Sequence, residues 1–173
     1  MSERSGGDRG GSDYIEKVLK ITRVAKVVKG GRRFSFSALV IVGNGQARVG
    51  YGMGKANEVT EAIRKGIERA TKNMKSVVIE GRTVPYASVG RFGASRVVVK
   101  PCEPGRGIIA SGAARAIMEA AGIQDISVKA LGSHNPHNVV KATLNALYEM
   151  RSHENIAARR GVPVERLRSA LTI

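Results

Sequence analysis

Apolar positions along this chain change their spacing every dozen or so residues, and those changes predict its elements. From Tyr14 to about Val28 the pattern suits a strand, although Ile15, Val18, Thr22 and Ala25 would equally line one face of a helix. Gly30-Gly31 then turns the chain. Phe34 to Val42 predicts a second strand, and Gly43-Asn44-Gly45 tolerates the positive φ of a tight hairpin. A third strand is expected over Ala47 to Tyr51. From about Glu58 to Met74 the period lengthens to that of a helix, with Val59, Ile63, Ile67, Ala70 and Met74 on one face. Arg64, Lys65, Glu68, Arg69 and Lys72 lie opposite. Three antiparallel strands and a helix make a first domain, 14–76.

Residues 77–95 carry Gly81 and Pro85 as breakers and are expected to form a connector with edge strands. A second domain, 96–151, starts with a strand over Arg96 to Lys100 and a glycine turn, Pro104-Gly105-Arg106-Gly107. An Ala-rich helix follows from about Gly112 to Ala121, stopped by Gly122. A strand over Ile126 to Leu131 comes next, then a helix from Pro136 to about Arg151, which Asn135 is suited to cap. Residues 1–13 are too rich in Ser, Gly and charge to bury a core and are expected to be a flexible tail. Residues 152–173 are charged, with one short helix over Pro163 to Leu171. The predicted class is α+β.

Charge turns this outline toward a partner. A basic residue falls at every third position through Lys17, Lys20, Arg23, Lys26, Lys29 and Arg32, and Arg33 follows. No acidic residue occurs between Lys17 and Asn57. A period of three matches neither strand nor helix, so on an extended ribbon it sets cations on both faces. Such a ribbon can meet phosphates on more than one side. Arg48 and Lys55 extend the same basic stretch. The whole chain agrees, with 29 Lys and Arg against 14 Asp and Glu, a net charge of +15 over 173 residues. No apolar run reaches the ~20 residues that span a bilayer, and the cations do not follow one amphipathic helix, so no membrane partner is expected. Aromatics make up only 4% of the chain, which favours backbone and shape recognition over base stacking. A lone cysteine, Cys102, and acidic residues Glu3 and Asp8 near the N-terminus point to a reducing cytoplasm.

Two loops imitate nucleotide sites. Gly50-Tyr51-Gly52-Met53-Gly54-Lys55 ends like a phosphate loop, but Val49 stands where that motif needs its first glycine, and Ala56 where it needs Ser or Thr. Its glycines suit a close approach of strand and helix, and Lys55 with the following helix start suits an RNA phosphate. Gly105-Arg106-Gly107-Ile108-Ile109-Ala110 fits the dinucleotide fingerprint, but Asp125 precedes the next strand instead of ending it. No cofactor is expected. His134 and His137, three apart, suit a helix N-terminus better than a metal. No paired carboxylates or nucleophile triad stands out, so no catalytic residue is expected.

Arg23-Val24-Ala25-Lys26-Val27-Val28-Lys29-Gly30-Gly31-Arg32-Arg33-Phe34-Ser35-Phe36 resembles the basic hairpin of the bacterial small-subunit ribosomal protein five family. Gly50 to Val59, Gly107 to Gly112 and Gly132 to Val140 are similar to further motifs of that family, in order, with likeness from about Lys17 to Arg168. His134 and His137 depart from it, standing where uncharged residues are expected. The resemblance implies a double-stranded-RNA-binding-like N-terminal domain and a βαβα second domain with a left-handed crossover. It implies a non-enzymatic constituent of the small ribosomal subunit that binds rRNA, supports assembly and helps set translational accuracy. Lys17, Lys20, Arg23, Lys26, Lys29, Gly30, Gly31, Arg32, Arg33, Arg48 and Lys55 would meet RNA, and Ala25, Lys26 and Lys29 would lie beside the spectinomycin pocket. Gly107 and Arg115 would line the interface with ribosomal protein four. Protein eight and messenger RNA in its incoming channel would be further neighbours. A free-standing RNA-binding regulator would share the charge but not need the second domain. A nucleotide-dependent enzyme is opposed by both failed loops.

Overall fold

The computed structural model describes residues 14–171, so the expected tail over 1–13 lies outside the described residues. Strands β1 (Ile15–Val28), β2 (Gly31–Gly43) and β3 (Arg48–Ala56) form an antiparallel meander, edged by the short β4 (Lys75–Ser76). Helix α1 (Val59–Lys72) covers one face. The strand alternative for Ile15 to Val28 therefore holds, because pairing with β2 along its whole length outweighs local helix spacing. The second sheet has the order β5 (Ser88–Phe92), β6 (Ser95–Pro101), β8 (Ile126–Gly132), β7 (Ile108–Ile109). Only β7 runs parallel to its neighbour β8, and α2 (Gly112–Ala121) connects the two. Helix α3 (Pro136–Glu149) packs with α2 against this mixed sheet, and α4 (His153–Arg160) and α5 (Val164–Leu171) close the described chain.

β2 carries the architecture. Ala38 to Val42 is an unbroken apolar run, and every residue in it is at most 2% exposed. Ala38, Val40 and Val42 pack beneath α1, while Leu39 and Ile41 join the larger core with α2, α3 and the second sheet. The two domains thus share one strand as a common wall. The β2–β3 turn locks onto the far domain. Asn44 Oδ1 accepts from the backbone N–H groups of Gln46 and Arg48, both at 2.9 Å. Gly45 and Ala47 donate their N–H groups to the Ala120 and Ala121 carbonyls at the end of α2, each at 3.0 Å.

Several expectations need correction. β3 continues past Tyr51 to Ala56, because Gly50, Gly52 and Gly54 pair with Val42, Val40 and Ala38 of β2. These alternate glycines face α1. Of the expected Val59, Ile63, Ile67, Ala70 and Met74 face, Ala70 is buried and Ile63, Ile67 and Met74 pack half-buried against the same core, while the closest contact adds Ala62 and Gly66, which were not expected. The larger residues flank that narrow contact. A Cβ at Gly54 would lie 2.6 Å from the Gly66 nitrogen, so only glycine allows this approach. The second sheet takes β5 as an edge strand from within 77–95, where edge strands were expected, and β6 starts at Ser95. The two-residue β7 and helix α4 were not expected. β7 is too short for a periodic signal, and α4 is signalled only by its Ser152 cap, whose hydroxyl accepts from the Asn155 N–H at 3.3 Å.

Candidate nucleic-acid interface

Beyond the Phe36–Ala56 pair, β3 ends and β1–β2 continue as a two-stranded arm to the Gly30-Gly31 turn. Gly30 has φ +92° and Gly31 +157°, and neither has a neighbour within 4 Å of where a Cβ would stand. The tip is therefore open, and at Gly30 the backbone itself calls for glycine. A two-stranded ribbon in water is marginally stable by itself, and this one keeps Val27 75% exposed.

The register sorts the cations by face. Lys26 stands directly opposite Arg33, with Val24 opposite Ser35, on one side. Arg23 opposite Phe36 and Val27 opposite Arg32 occupy the other. Like charges directly opposed destabilise a strand pair, and no carboxylate in β1, β2 or β3 after Glu16 relieves them. Arg23 instead lays its guanidinium over the Phe34 ring, 3.7 Å from the centroid. Such an arm gains most when a polyanion supplies the missing negative charge.

Closer to the body the pattern changes. The register slips between Val18 and Lys20, so Lys17 opposite Ile41 and Lys20 opposite Leu39 fall on the same face. Lys20 is exposed there, but Lys17 pairs across the domain boundary with Glu119 of α2. Glu119 lies one helical turn after Arg115 but pairs with Lys17 instead. Arg115 is exposed, and among the described residues no ion pair reaches it. Lys55 sits on β3 opposite Ser37, on the Lys20 face, and not in the turn before α1. The start of α1 is a poor anion site, since Glu58 occupies the cap position and Glu61 the first turn. Arg48 is exposed at the far end of β3, distant in register from the arm. Lys26, Lys29, Arg32, Arg33 and Arg23 thus gather on the arm, Lys20 and Lys55 border it, and Lys17 and Arg48 do not join it.

The Gly105–Gly107 loop already holds an anion of its own. Asp125 is 1% exposed, and its Oδ1 accepts from the N–H groups of Gly107 at 2.8 Å and Gly105 at 3.0 Å. Arg82 donates from Nε to the other oxygen at 2.8 Å. The Gly107 N–H, above all, holds this carboxyl below its ordinary range, with Arg82 and Gly105 adding to the effect and burial opposing it. A cofactor pyrophosphate would compete with this carboxylate for both amides. The role of Asp125 was missed by sequence reasoning, though an acidic residue between a glycine turn and a strand in so basic a chain was a usable signal. At the next loop, Asn135 caps α3 by accepting from the His137 N–H at 3.2 Å, and among the described residues no His, Cys or carboxylate cluster fits a metal.

Residues 14–78 match the model of the ribosomal protein S5 N-terminal domain, and residues 90–160 match that of the C-terminal domain. The chain belongs to the ribosomal protein S5 family. Family membership makes it a ribosomal protein, a structural and non-enzymatic part of a ribonucleoprotein. It is 59% identical over 154 residues to small ribosomal subunit protein uS5 of Syntrophobacter fumaroxidans, covering 89% of this chain and 93% of that one. The protein of the same name from Lawsonia intracellularis is 55% identical over 152 residues, covering 88% and 93%. That of Paramagnetospirillum magneticum is 49% identical over 164 residues, covering 94% and 78%. The α+β fold, with an antiparallel sheet and helix followed by a mixed sheet with helices, agrees with this two-domain family. No helix among the described residues is long and apolar enough to cross a membrane.

Proposed function

We propose that this chain is a structural constituent of the small ribosomal subunit, acting on the cytoplasmic ribosome, and that its β1–β2 arm inserts among rRNA phosphates. The observation that carries the reading is the arm itself, with Lys26 against Arg33 on one face, Arg23 and Arg32 on the other, and no carboxylate on either. Gly30 and Gly31 let the tip meet the RNA backbone closely, and Lys20 and Lys55 extend the contact toward the body. The arm would border the spectinomycin pocket through Ala25, Lys26 and Lys29. Gly107 and Arg115, which no ion pair reaches among the described residues, would face ribosomal protein four and affect decoding accuracy, with protein eight and incoming messenger RNA nearby.

The test replaces Lys26, Lys29, Arg32 and Arg33 together by Ala and measures rRNA affinity against salt. Each lost phosphate contact lowers the logarithmic salt slope by about 0.7–0.9, so a fall of up to about three and a half units is expected. An unchanged slope in a folded variant would remove the arm from the interface. Co-sedimentation of the native protein with small subunits at high salt separates this reading from a free-standing regulator.

A further inference from the structure

The arm leaves a second cationic feature unexplained, in the groove where the two domains meet. One wall comes from the first domain, with Tyr51, Met53, Arg69, Asn73 and Lys75. The other comes from β5 and α3, with Phe92, His137, Lys141, Asn145 and Tyr148. The groove consists of two adjoining hollows of about 350 and 470 Å³, sharing Tyr51, Asn73 and Lys141. Both fall within the size range of small-ligand sites.

Its lining is unusual for this chain in two respects. Four residues that are or can become cationic line it, Arg69, Lys75, His137 and Lys141, and no carboxylate does. In addition, of the four tyrosines and three phenylalanines in the sequence, two tyrosines and one phenylalanine are here. The cations rest on those rings. Lys75 Nζ lies 5.3 Å from the Tyr148 centroid and Lys141 Nζ 4.4 Å from that of Phe92. Tyr148 is a fixed platform, since its hydroxyl donates to the Val49 carbonyl across the domain boundary at 2.7 Å. Burial, with help from Tyr51, pushes that hydroxyl up to about 12, so it stays a donor.

We infer that this groove binds unpaired RNA, with a base against the Tyr148 and Phe92 rings and its flanking phosphates on Lys75 and Lys141. Ammonium groups held over rings are poised to swing onto phosphates, which frees the ring faces for a base. Aromatic rings interleaved with cations are what single-stranded RNA recognition requires, whereas a duplex hides its base faces. The arm, with its cations on both sides of a projecting ribbon, suits backbone phosphates of structured RNA. The inference rests on the RNA-binding reading above but not on the arm.

Fluorescence anisotropy of the full-length protein with labelled single-stranded oligouridine, and with an RNA duplex of equal length, tests it. Phe92→Leu keeps charge and removes an exposed ring, and should weaken single-strand binding by about fivefold or more. Lys75→Gln with Lys141→Gln should lower the single-strand salt slope by about 1.4, two contacts at about 0.7 each. Both variants should leave duplex binding within twofold of the native protein and keep its melting temperature. The arm variant should show the reverse, losing duplex while retaining oligouridine. Oligouridine binding that is unaltered in both groove variants would overturn the inference. So would groove variants that lose a polyglutamate peptide but keep oligouridine, which would assign the groove to an acidic protein segment. If the arm variant alone loses both RNAs, the groove holds no RNA while the proposed role of the arm stands.

Discussion

Replacing Gly52 by Ala adds one methyl group to the tightest packed layer of the first domain. The new Cβ would stand 2.5 Å from the Ala70 nitrogen and nearer still to the Gly66 carbonyl oxygen. Cβ contacts shorter than 3.4 Å are rare, so α1 must move off β3 by about 1 Å. Both obstructing atoms are backbone, and no rotamer change relieves them. Overpacking of this kind costs about 1–3 kcal/mol, and a 1 Å gap forfeits a quarter to a half of the dispersion energy along the opened contact. The upper end, about 3 kcal/mol, applies because Gly50 and Gly54 hold the same helix at the same spacing. For a chain of this size that corresponds to a fall in melting temperature of about 6–12 °C. Thermal unfolding followed by far-ultraviolet circular dichroism reads it directly. Gly112→Ala is the control, at an open first-turn position of α2 with nothing within 4 Å, and should raise stability by about 0.4–1 kcal/mol. If Gly52→Ala melts within about 2 °C of the native protein, less than 1 kcal/mol is involved and the close-packing argument fails.

Two further predictions concern the second domain. The folded Asp125 carboxyl titrates below its ordinary value, so its stabilisation is present above about pH 4 and is lost as the pH falls through the lower, folded value. Asp125→Asn should be less stable at neutral pH and should lose less stability on acidification than the native protein; urea midpoints that fall in parallel from pH 6 to pH 2 would refute the linkage. Arg115→Leu should raise stop-codon readthrough in a dual-reporter assay without reducing subunit yield. On the proposed reading Arg115 meets its neighbour in one subunit state only, so removing it biases the equilibrium toward the other; unchanged readthrough with normal incorporation would leave it an ordinary surface residue.

What could be read from sequence was whatever a local pattern controls. The limits of α2 follow from an Ala-rich run ended by Gly122, which takes φ +85° as the cap, and the start of α3 follows from Asn135-Pro136. The cationic arm was visible because its charge spacing needs no tertiary information. The expectation that Gly50, Gly52 and Gly54 bring strand and helix together holds. Long-range partners were not visible. Nothing local says that Lys17 is held by Glu119, or that Asp125 collects two amides and Arg82. The buried face of α1 was only partly legible, because two of its residues, Ala62 and Gly66, are small. Hydrophobic periodicity finds Ile63, Ile67 and Ala70, which do pack on that core, whereas steric fit over three glycines adds Ala62 and Gly66 at the closest contact. The groove combines residues from β3, α1, β4, β5 and α3, and only the fold assembles it.

The wall shared by the two domains bears on how the chain is made. β2 emerges from the ribosome that synthesises it well before α3, the helix whose Leu144 and Leu147 share a core with Leu39 and Ile41. Until α2, the second sheet and that helix appear, the nascent first domain can close only the α1 side of its sheet. Its other side remains a bare apolar strip next to a strongly basic arm, a combination prone to nonproductive association with nucleic acid and with other unfinished chains. The second half of the chain therefore acts as a built-in cover for the first, and an N-terminal fragment ending after α1 is expected to be soluble only when something else takes its place.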